Sequence, residues 1–178
     1  MKEMTIDTIV ISPENSQPVV LLKELTGEKY LPIWIGIAEA QSILIKIQKV
    51  KITRPLSHDL IWSIITNLSA VIDKVVINDI KDDTFYGEIV INKNNKQVII
   101  DARPSDALAL AVRTGAPIYA EDSVINQAGV MLDDGGEDST RNARSEGLSK
   151  EDLAGLSAYT DFINSLDFDD FDENPSSD

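Results

Sequence analysis

The sequence predicts a domain of the α+β class, and three observations support this prediction. Segments that alternate apolar and polar residues, as strands do, occur beside segments whose apolar residues recur at helical spacing. Several strand-like segments are joined by very short turns, which favours antiparallel pairing. The chain has 178 residues, enough for one hydrophobic core of ordinary size.

The first half of the chain predicts three strands and then two helices. The predicted bounds are strands 3–12, 18–25 and 30–35 and helices 37–47 and 58–70. Ser57 is a good candidate for the N-cap of the second helix. We expect the apolar residues of that helix to face the core; they are Leu60, Ile61, Ile64, Ile65 and Leu68.

The second half predicts an antiparallel meander followed by a helix, a short strand and a last helix. The predicted bounds are strands 73–80, 84–92 and 96–101, a helix at 106–113 that begins at or near Pro104, a strand at 117–121 and a helix ending near 129. Gly115 is the predicted stop of the helix before the short strand.

The composition changes sharply near residue 130. Residues 1–130 carry 13 Lys and Arg against 16 Asp and Glu, whereas residues 131–178 carry 3 against 14. Residues 131–148 have the composition of a linker, and 150–166 could form a short helix. We therefore predict a folded domain over 1–130 and an acidic, largely flexible tail over 131–178.

Composition also excludes several classes of protein. The chain has no cysteine, so disulfides and thiolate metal sites are ruled out. No apolar segment approaches the roughly 20 residues that cross a bilayer, and the alternating N-terminus resembles a strand more than a signal peptide. We expect a cytoplasmic protein without membrane contact. No basic stripe of the kind found in strong non-specific nucleic-acid binders is visible along the sequence.

Three segments together resemble the bifunctional nuclease family. They are LPIWIG at 31–36 with Glu39-Ala40, RPLSHDL at 54–60 and IDARPSDA at 100–107. The resemblance covers about residues 4–129. It implies a strongly curved, mostly antiparallel sheet packed with three to four helices, a homodimer, and hydrolysis of phosphodiester bonds in DNA and RNA.

Phosphodiester hydrolysis needs an activated water and stabilisation of charge on the phosphoryl oxygens. The corner at 101–106 is the first candidate, because Arg103 could bind a phosphate at a helix start while Asp101 or Asp106 holds a divalent metal such as Mg²⁺. The structural alternative is that Asp106 serves the first helical turn and Arg103 pairs with Asp101. Glu39 is likewise either a metal ligand or an acid that stabilises a helix start.

His58 is the second candidate, as a general acid or base. Its neighbours Ser57 and Asp59 cannot form a relay with it, because adjacent residues on a helix point about 100° apart. Asp59 is then a first-turn acid, although it stays among the catalytic candidates, and His58 could also be structural. Trp34 and Trp62 could stack nucleic-acid bases, but packing in a core or a dimer contact is the favoured interpretation.

The leading hypothesis is a metal-assisted nuclease that acts on DNA and RNA. The alternative is a homodimeric, non-enzymatic interaction or regulatory domain whose acidic tail binds a basic protein partner. Convergence of Glu39, His58, Asp101, Arg103 and Asp106 in one cleft would favour the nuclease.

Overall fold

A computed structural model describes residues 1–12 and 16–131 of the chain. Within them, eight strands form one sheet and four helices pack against it. The strands are β1 (Lys2–Ile11), β2 (Pro18–Glu24), β3 (Lys29–Trp34), β4 (Val71–Lys81), β5 (Thr84–Lys93), β6 (Lys96–Ala102), β7 (Ile118–Ala120) and β8 (Val130–Met131). The helices are α1 (Ile37–Ile47), α2 (Ser57–Asn67), α3 (Pro104–Thr114) and α4 (Asp122–Ala128).

The strands follow the order β6-β5-β4-β7-β1-β2-β3-β8, so β6 and β8 are the free edges. All neighbouring strands are antiparallel except β4 and β7. The two tight turns of the meander use Asp82-Asp83 and Asn94-Asn95, all with positive φ, a conformation that Asp and Asn adopt more readily than most residues. The predicted α+β class with a mostly antiparallel sheet is confirmed.

The short strand β7 joins the two halves of the sheet. Its Ile118 pairs with Met4 of β1 on one side and with Val75 of β4 on the other. The sequence predicts this strand but not its position, because periodicity says nothing about which strands become neighbours. The two-residue β8 is too short to leave a periodic signal and was not predicted.

Helix α3 is the most deeply buried helix. Residues 107–111 are each at most 2% exposed. The helix begins at Pro104, with Arg103 at the N-cap position, and ends at Gly115, whose φ of 74° is readily available to glycine. This burial fixes the positions of the charged residues at both ends of α3.

Helix α2 departs from the sequence prediction. Leu60, Ile61, Ile64 and Leu68 are 56%, 39%, 50% and 56% exposed, and the buried residue of the helix is His58. The expectation that these four apolar residues face the core is therefore wrong. The histidine lies on the inner face because both of its ring nitrogens form hydrogen bonds there, and residues 60 and 64 then lie on the outer face.

The predicted N-cap of α2 also needs correction. Ser57 is the first residue of the helix, and Leu56 occupies the cap position. The backbone N–H of Leu56 donates to Asp59 Oδ2 at 2.9 Å. Asp59, an acid in the first turn, therefore satisfies a backbone N–H at the helix start, and Ser57 does not cap the helix.

The predicted linker and the predicted tail helix lie outside the described residues, apart from Met131, which belongs to β8. None of the helices in 1–12 and 16–131 is long and apolar enough to cross a membrane.

Candidate functional site

Four of the sequence candidates come together at the starts of three helices. Glu39 lies in the first turn of α1, His58 in the first turn of α2, and Arg103 and Asp106 at the beginning of α3. They border a cleft of about 650 Å³. The cleft has an apolar wall from α2, β5 and β6, formed by Ile61, Ile65, Ile89, Ile91 and Ile100.

The corner between β6 and α3 is held close to β5 by a glycine. Gly87 pairs with Ala102, and a Cβ at Gly87 would lie 3.1 Å from the Ala102 carbonyl oxygen and 3.4 Å from Pro104. A side chain there would push the corner outward. The glycine therefore helps to set the position of Arg103, the residue between Ala102 and Pro104.

Arg103 lies between two carboxylates. Its Nε and Nη2 donate to Asp106 at 2.7 and 3.0 Å, and Nη2 also lies 2.9 Å from Glu39 Oε1. Arg103 therefore pairs with these acids rather than with Asp101. The hydrogen bond to Asp106, with the charges of both acids, raises the pKa of Arg103 above its already high ordinary value. Its side chain is 66% exposed, so the charge is accessible from solvent.

His58 is held at both ring nitrogens. Nε2 lies 3.1 Å from Asp106 Oδ1, and Nδ1 lies 2.9 Å from Ser42 Oγ. Because Ser42 Oγ accepts a hydrogen bond from Arg113 Nη2 at 3.0 Å, its own proton is available to Nδ1. When Ser42 donates to Nδ1, the proton of the ring is on Nε2 and is donated to Asp106.

Asp106 connects the exposed arginine to the buried histidine. Burial by itself would raise the pKa of Asp106, but hydrogen bonds from Arg103 and His58 outweigh that effect and hold the pKa below its ordinary value. The carboxylate is therefore ionised at neutral pH.

Asp59 lies apart from these residues and has a structural partner. Its Oδ1 accepts from Arg113 Nε at 2.7 Å, and Arg113 has a side chain only 1% exposed. Burial would raise the pKa of Asp59, yet the hydrogen bonds from Arg113 and from the Leu56 backbone lower it. The arginine also donates to the Ala109 carbonyl at 2.9 Å, so all its contacts hold α1, α2 and α3 together.

Arg113 and Ser42 were not among the residues predicted from the sequence to form the site. Arg113 stands among apolar residues near the end of α3, and an arginine in such a position is a signal for a buried charge with a partner. Ser42 carried no signal, because a single serine in a helix is usually an ordinary exposed residue.

Asp101 borders the cleft but does not join the cluster. It pairs with Glu88 across the sheet, whereas the apolar wall contains Ile89 and Ile100. Because side chains alternate along a strand, the Asp101 side chain lies on the sheet face opposite Ile100. No hydrogen bond or ion pair connects it with another residue of the described part of the chain.

The two carboxylates of the cluster are already bound to Arg103. Among the residues that the structure describes, no three His, Asp or Glu side chains are grouped as metal ligands. Glu39 and Asp106 both bind Arg103, so a divalent cation between them would have to displace the guanidinium.

Comparison with known proteins identifies the family of the chain. Residues 20–133 match the family described as the bifunctional nuclease domain. The chain belongs to this family. The match spans every residue of the cluster, so Glu39, His58, Arg103 and Asp106 all lie within the bifunctional nuclease domain.

Relatives of this bifunctional nuclease domain occur in bacteria and plants. An uncharacterized protein of Mycobacterium tuberculosis is 38% identical over 172 residues, which are 96% of this chain and 98% of that protein. Bifunctional nuclease 2 of Oryza sativa subsp. japonica is 28% identical over 123 residues, 66% of this chain and 38% of the rice protein. Bifunctional nuclease 2 of Arabidopsis thaliana is 24% identical over 137 residues, 75% of this chain and 41% of the plant protein.

Proposed function

We propose that this chain is a nuclease that hydrolyses phosphodiester bonds of DNA and RNA in the cleft beside Arg103. The observation that carries the proposal is the hydrogen-bonded row Glu39–Arg103–Asp106–His58 at the mouth of that cleft. The family and the names of the plant relatives support the same chemistry.

Arg103 is the proposed phosphate ligand. Its planar guanidinium can donate two parallel hydrogen bonds to phosphoryl oxygens, and its exposure leaves room for a large substrate. The N-terminus of α3 begins at the next residue and adds a favourable partial charge. Donors in this position stabilise the negative charge that grows on the phosphoryl group in the transition state.

Asp106 and His58 are the proposed proton-handling pair. When Arg103 turns toward a phosphate, Asp106 loses the hydrogen bonds from the guanidinium and keeps the one from His58. The freed carboxylate becomes a stronger proton acceptor and can take a proton from the attacking water. His58 holds the carboxylate in place, and Ser42 holds His58.

A divalent ion such as Mg²⁺ is a separate proposal. Its ligands would be Glu39 and Asp106 after Arg103 has moved to the phosphate. No step of the chemistry above depends on the ion.

The deciding experiment compares the purified wild type with Arg103→Ala on fluorescent single-stranded DNA and RNA. We expect cleavage of both by the wild type and a large loss in the variant. Lys93→Ala, an exposed charge on the turn between β5 and β6, is the matched control. Equal cleavage by wild type and Arg103→Ala would assign the activity to another protein in the preparation.

A homodimeric interaction domain is the second candidate function. Its support is two sets of exposed apolar residues: Leu60, Ile64 and Leu68 on α2 and its C-cap, and Val98 and Ile100 on β6, all at least 43% exposed. Exposed apolar residues of this kind are commonly buried between subunits. On this proposal the chain is a cytoplasmic homodimer whose acidic tail binds a basic protein.

Light scattering at micromolar concentration tests the dimer. We expect twice the chain mass for the wild type and a monomer for Leu60→Asp/Ile64→Asp. A monomeric wild type removes this proposal. A dimer without any nuclease activity would make the interaction domain the better description.

A further inference from the structure

A second groove lies beside the cleft. It encloses about 760 Å³ between the end of α1, the segment 48–55 and the end of α3. Ile45 borders both the groove and the cleft, so the two are neighbours on one surface.

The groove is lined by unpaired cations. Lys46, Lys49 and Arg54 all face it, and within residues 1–12 and 16–131 none of the three forms an ion pair. The acid in the lining is Asp59, which is already bonded to the buried Arg113. The groove is therefore positive in a chain whose formal net charge is −14.

An exposed aromatic ring lies at the edge of this groove. Trp62 is 39% exposed, and Lys46 Nζ lies 5.6 Å from the centre of its ring. Trp62 follows Asp59 by three residues on α2, so the two side chains are neighbours on the helix, and both Asp59 and Lys46 line the groove. Of the two predicted roles of Trp62, packing in the core is wrong, because the ring is open to solvent, and a dimer contact stays a prediction.

We infer that this groove binds single-stranded nucleic acid, with phosphates at Lys46, Lys49 and Arg54 and an unpaired base stacked on Trp62. A cationic groove beside an exposed aromatic ring is the combination that non-specific single-strand binders use. Stacking requires an unpaired base, which a duplex does not offer. The inference rests on the proposed function in one respect: the strand continues from the groove into the cleft, where Arg103 takes the scissile phosphate.

Binding of a labelled oligothymidine to the full chain, followed by fluorescence anisotropy, tests the groove without any need for cleavage. The variants are Lys49→Ala/Arg54→Ala and Trp62→Ala. The control is Lys93→Ala/Lys96→Ala, which removes the same charge from the exposed turn between β5 and β6. Matching circular dichroism spectra and melting curves establish that each variant is folded.

We expect the wild type to bind oligothymidine more tightly than a duplex of equal length. The groove double variant should lose about 10-fold or more in affinity, and its salt slope should fall by about 1.4, as expected for two lost contacts to single-stranded phosphates. Trp62→Ala should lose about 5-fold to 150-fold in affinity, the range expected for one stacked base, and Trp62→Phe should recover part of that loss. The control should match the wild type.

Unchanged affinity and salt slope in the groove variant would overturn the inference. If that variant also cleaves with the wild-type KM, the proposed nuclease survives and only the groove assignment fails. Binding that depends on the groove in a protein without cleavage would support the inference and remove the nuclease. A synthetic peptide of residues 150–178 offers the other outcome. If its binding depends on the groove residues while the binding of oligothymidine does not, the groove is assigned to an acidic peptide and the inference is overturned.

Discussion

The Arg103 guanidinium and the Asp106 carboxylate, three residues apart, form two hydrogen bonds of 2.7 and 3.0 Å at the start of α3. The acid also holds His58, and the arginine also holds Glu39. A phosphate that binds Arg103 must compete with both acids, so substrate binding and the basicity of Asp106 are coupled through one pair of side chains.

Replacing Arg103 or Asp106 should reduce the rate of cleavage, and each replacement should affect a different part of the reaction. Under the proposed function, Arg103→Ala removes a donor that stabilises the transition state, and the expected loss is about 10²–10³ in rate. Asp106→Asn removes the proton acceptor, with a loss of about 10²–10⁴. Single-turnover cleavage of labelled RNA and DNA measures both. Arg103→Lys should recover little, because an ammonium lacks the bidentate geometry. Wild-type rates in both variants would contradict the proposed site.

His58 and Ser42 provide a graded test of the positioning chain. His58→Ala should cost about 10²–10⁴ in rate if the histidine takes part in proton transfer. Ser42→Ala keeps the histidine and removes its Nδ1 partner, so we expect a smaller loss and a shifted pH profile of kcat. Rates measured from pH 5 to 9 separate the two effects. An unshifted profile in Ser42→Ala, with a normal melting temperature, would contradict a positioning role for the serine.

Arg113 should matter for stability much more than for chemistry. Replacing it by Met leaves Asp59 partly buried without its partner and frees Ser42 from a donor. Loss of one partner from a buried pair costs about 3–5 kcal/mol of unfolding free energy. Urea unfolding of Arg113→Met measures this cost. An exposed pair serves as control: Lys81→Met breaks the contact with Asp79 and should leave the urea midpoint almost unchanged, because solvent screens an exposed ion pair.

The stability of the domain should fall in acid. Asp59 and Asp106 both have pKa values below the ordinary one, because their hydrogen-bond partners favour the charged form more than burial disfavours it. Such groups stabilise the fold fully above the unfolded-state pKa of about 3.9, and this contribution is lost as the pH falls through the lower folded-state values. Urea midpoints measured from pH 7 to pH 2.5 should drop mainly below about pH 4, and less steeply in Asp59→Asn. A flat profile would contradict the two shifts.

Chelation tests the metal proposal separately from the nuclease proposal. Under that proposal EDTA abolishes cleavage and added Mg²⁺ restores it. The reason is that the ion would stabilise negative charge on the phosphoryl oxygens beyond what Arg103 alone can stabilise. Full activity in EDTA would leave Arg103, Asp106 and His58 as the complete machinery. Isothermal titration of Mg²⁺ into the wild type and into Glu39→Gln gives a second readout that is independent of activity. Under the metal proposal, the variant should bind Mg²⁺ more weakly than the wild type.

The strands, the helices and most of the charged corner could be predicted from the sequence, because each depends on periodicity or on a short motif. The pairing of β7 with both β1 and β4 could not, since it joins residues far apart in the chain. The outward face of α2 was missed for a related reason: Leu60 and Ile64 fit an apolar stripe, and only the hydrogen bonds of His58 decide which side turns inward. The cations of the groove are dispersed along the sequence at 46, 49 and 54, so no stripe was visible before folding.

The three residues of β7 have a consequence for how this domain reaches its native state. The hairpins β1–β2, β2–β3, β4–β5 and β5–β6 close over short stretches of chain, so they can form early. Ile118, by contrast, meets partners roughly forty and more than a hundred residues upstream, and such distant closures are entropically costly. The two halves of the sheet can therefore form before β7 pairs with either of them. We expect the docking of β7 between β1 and β4 to be a late, rate-limiting step of folding.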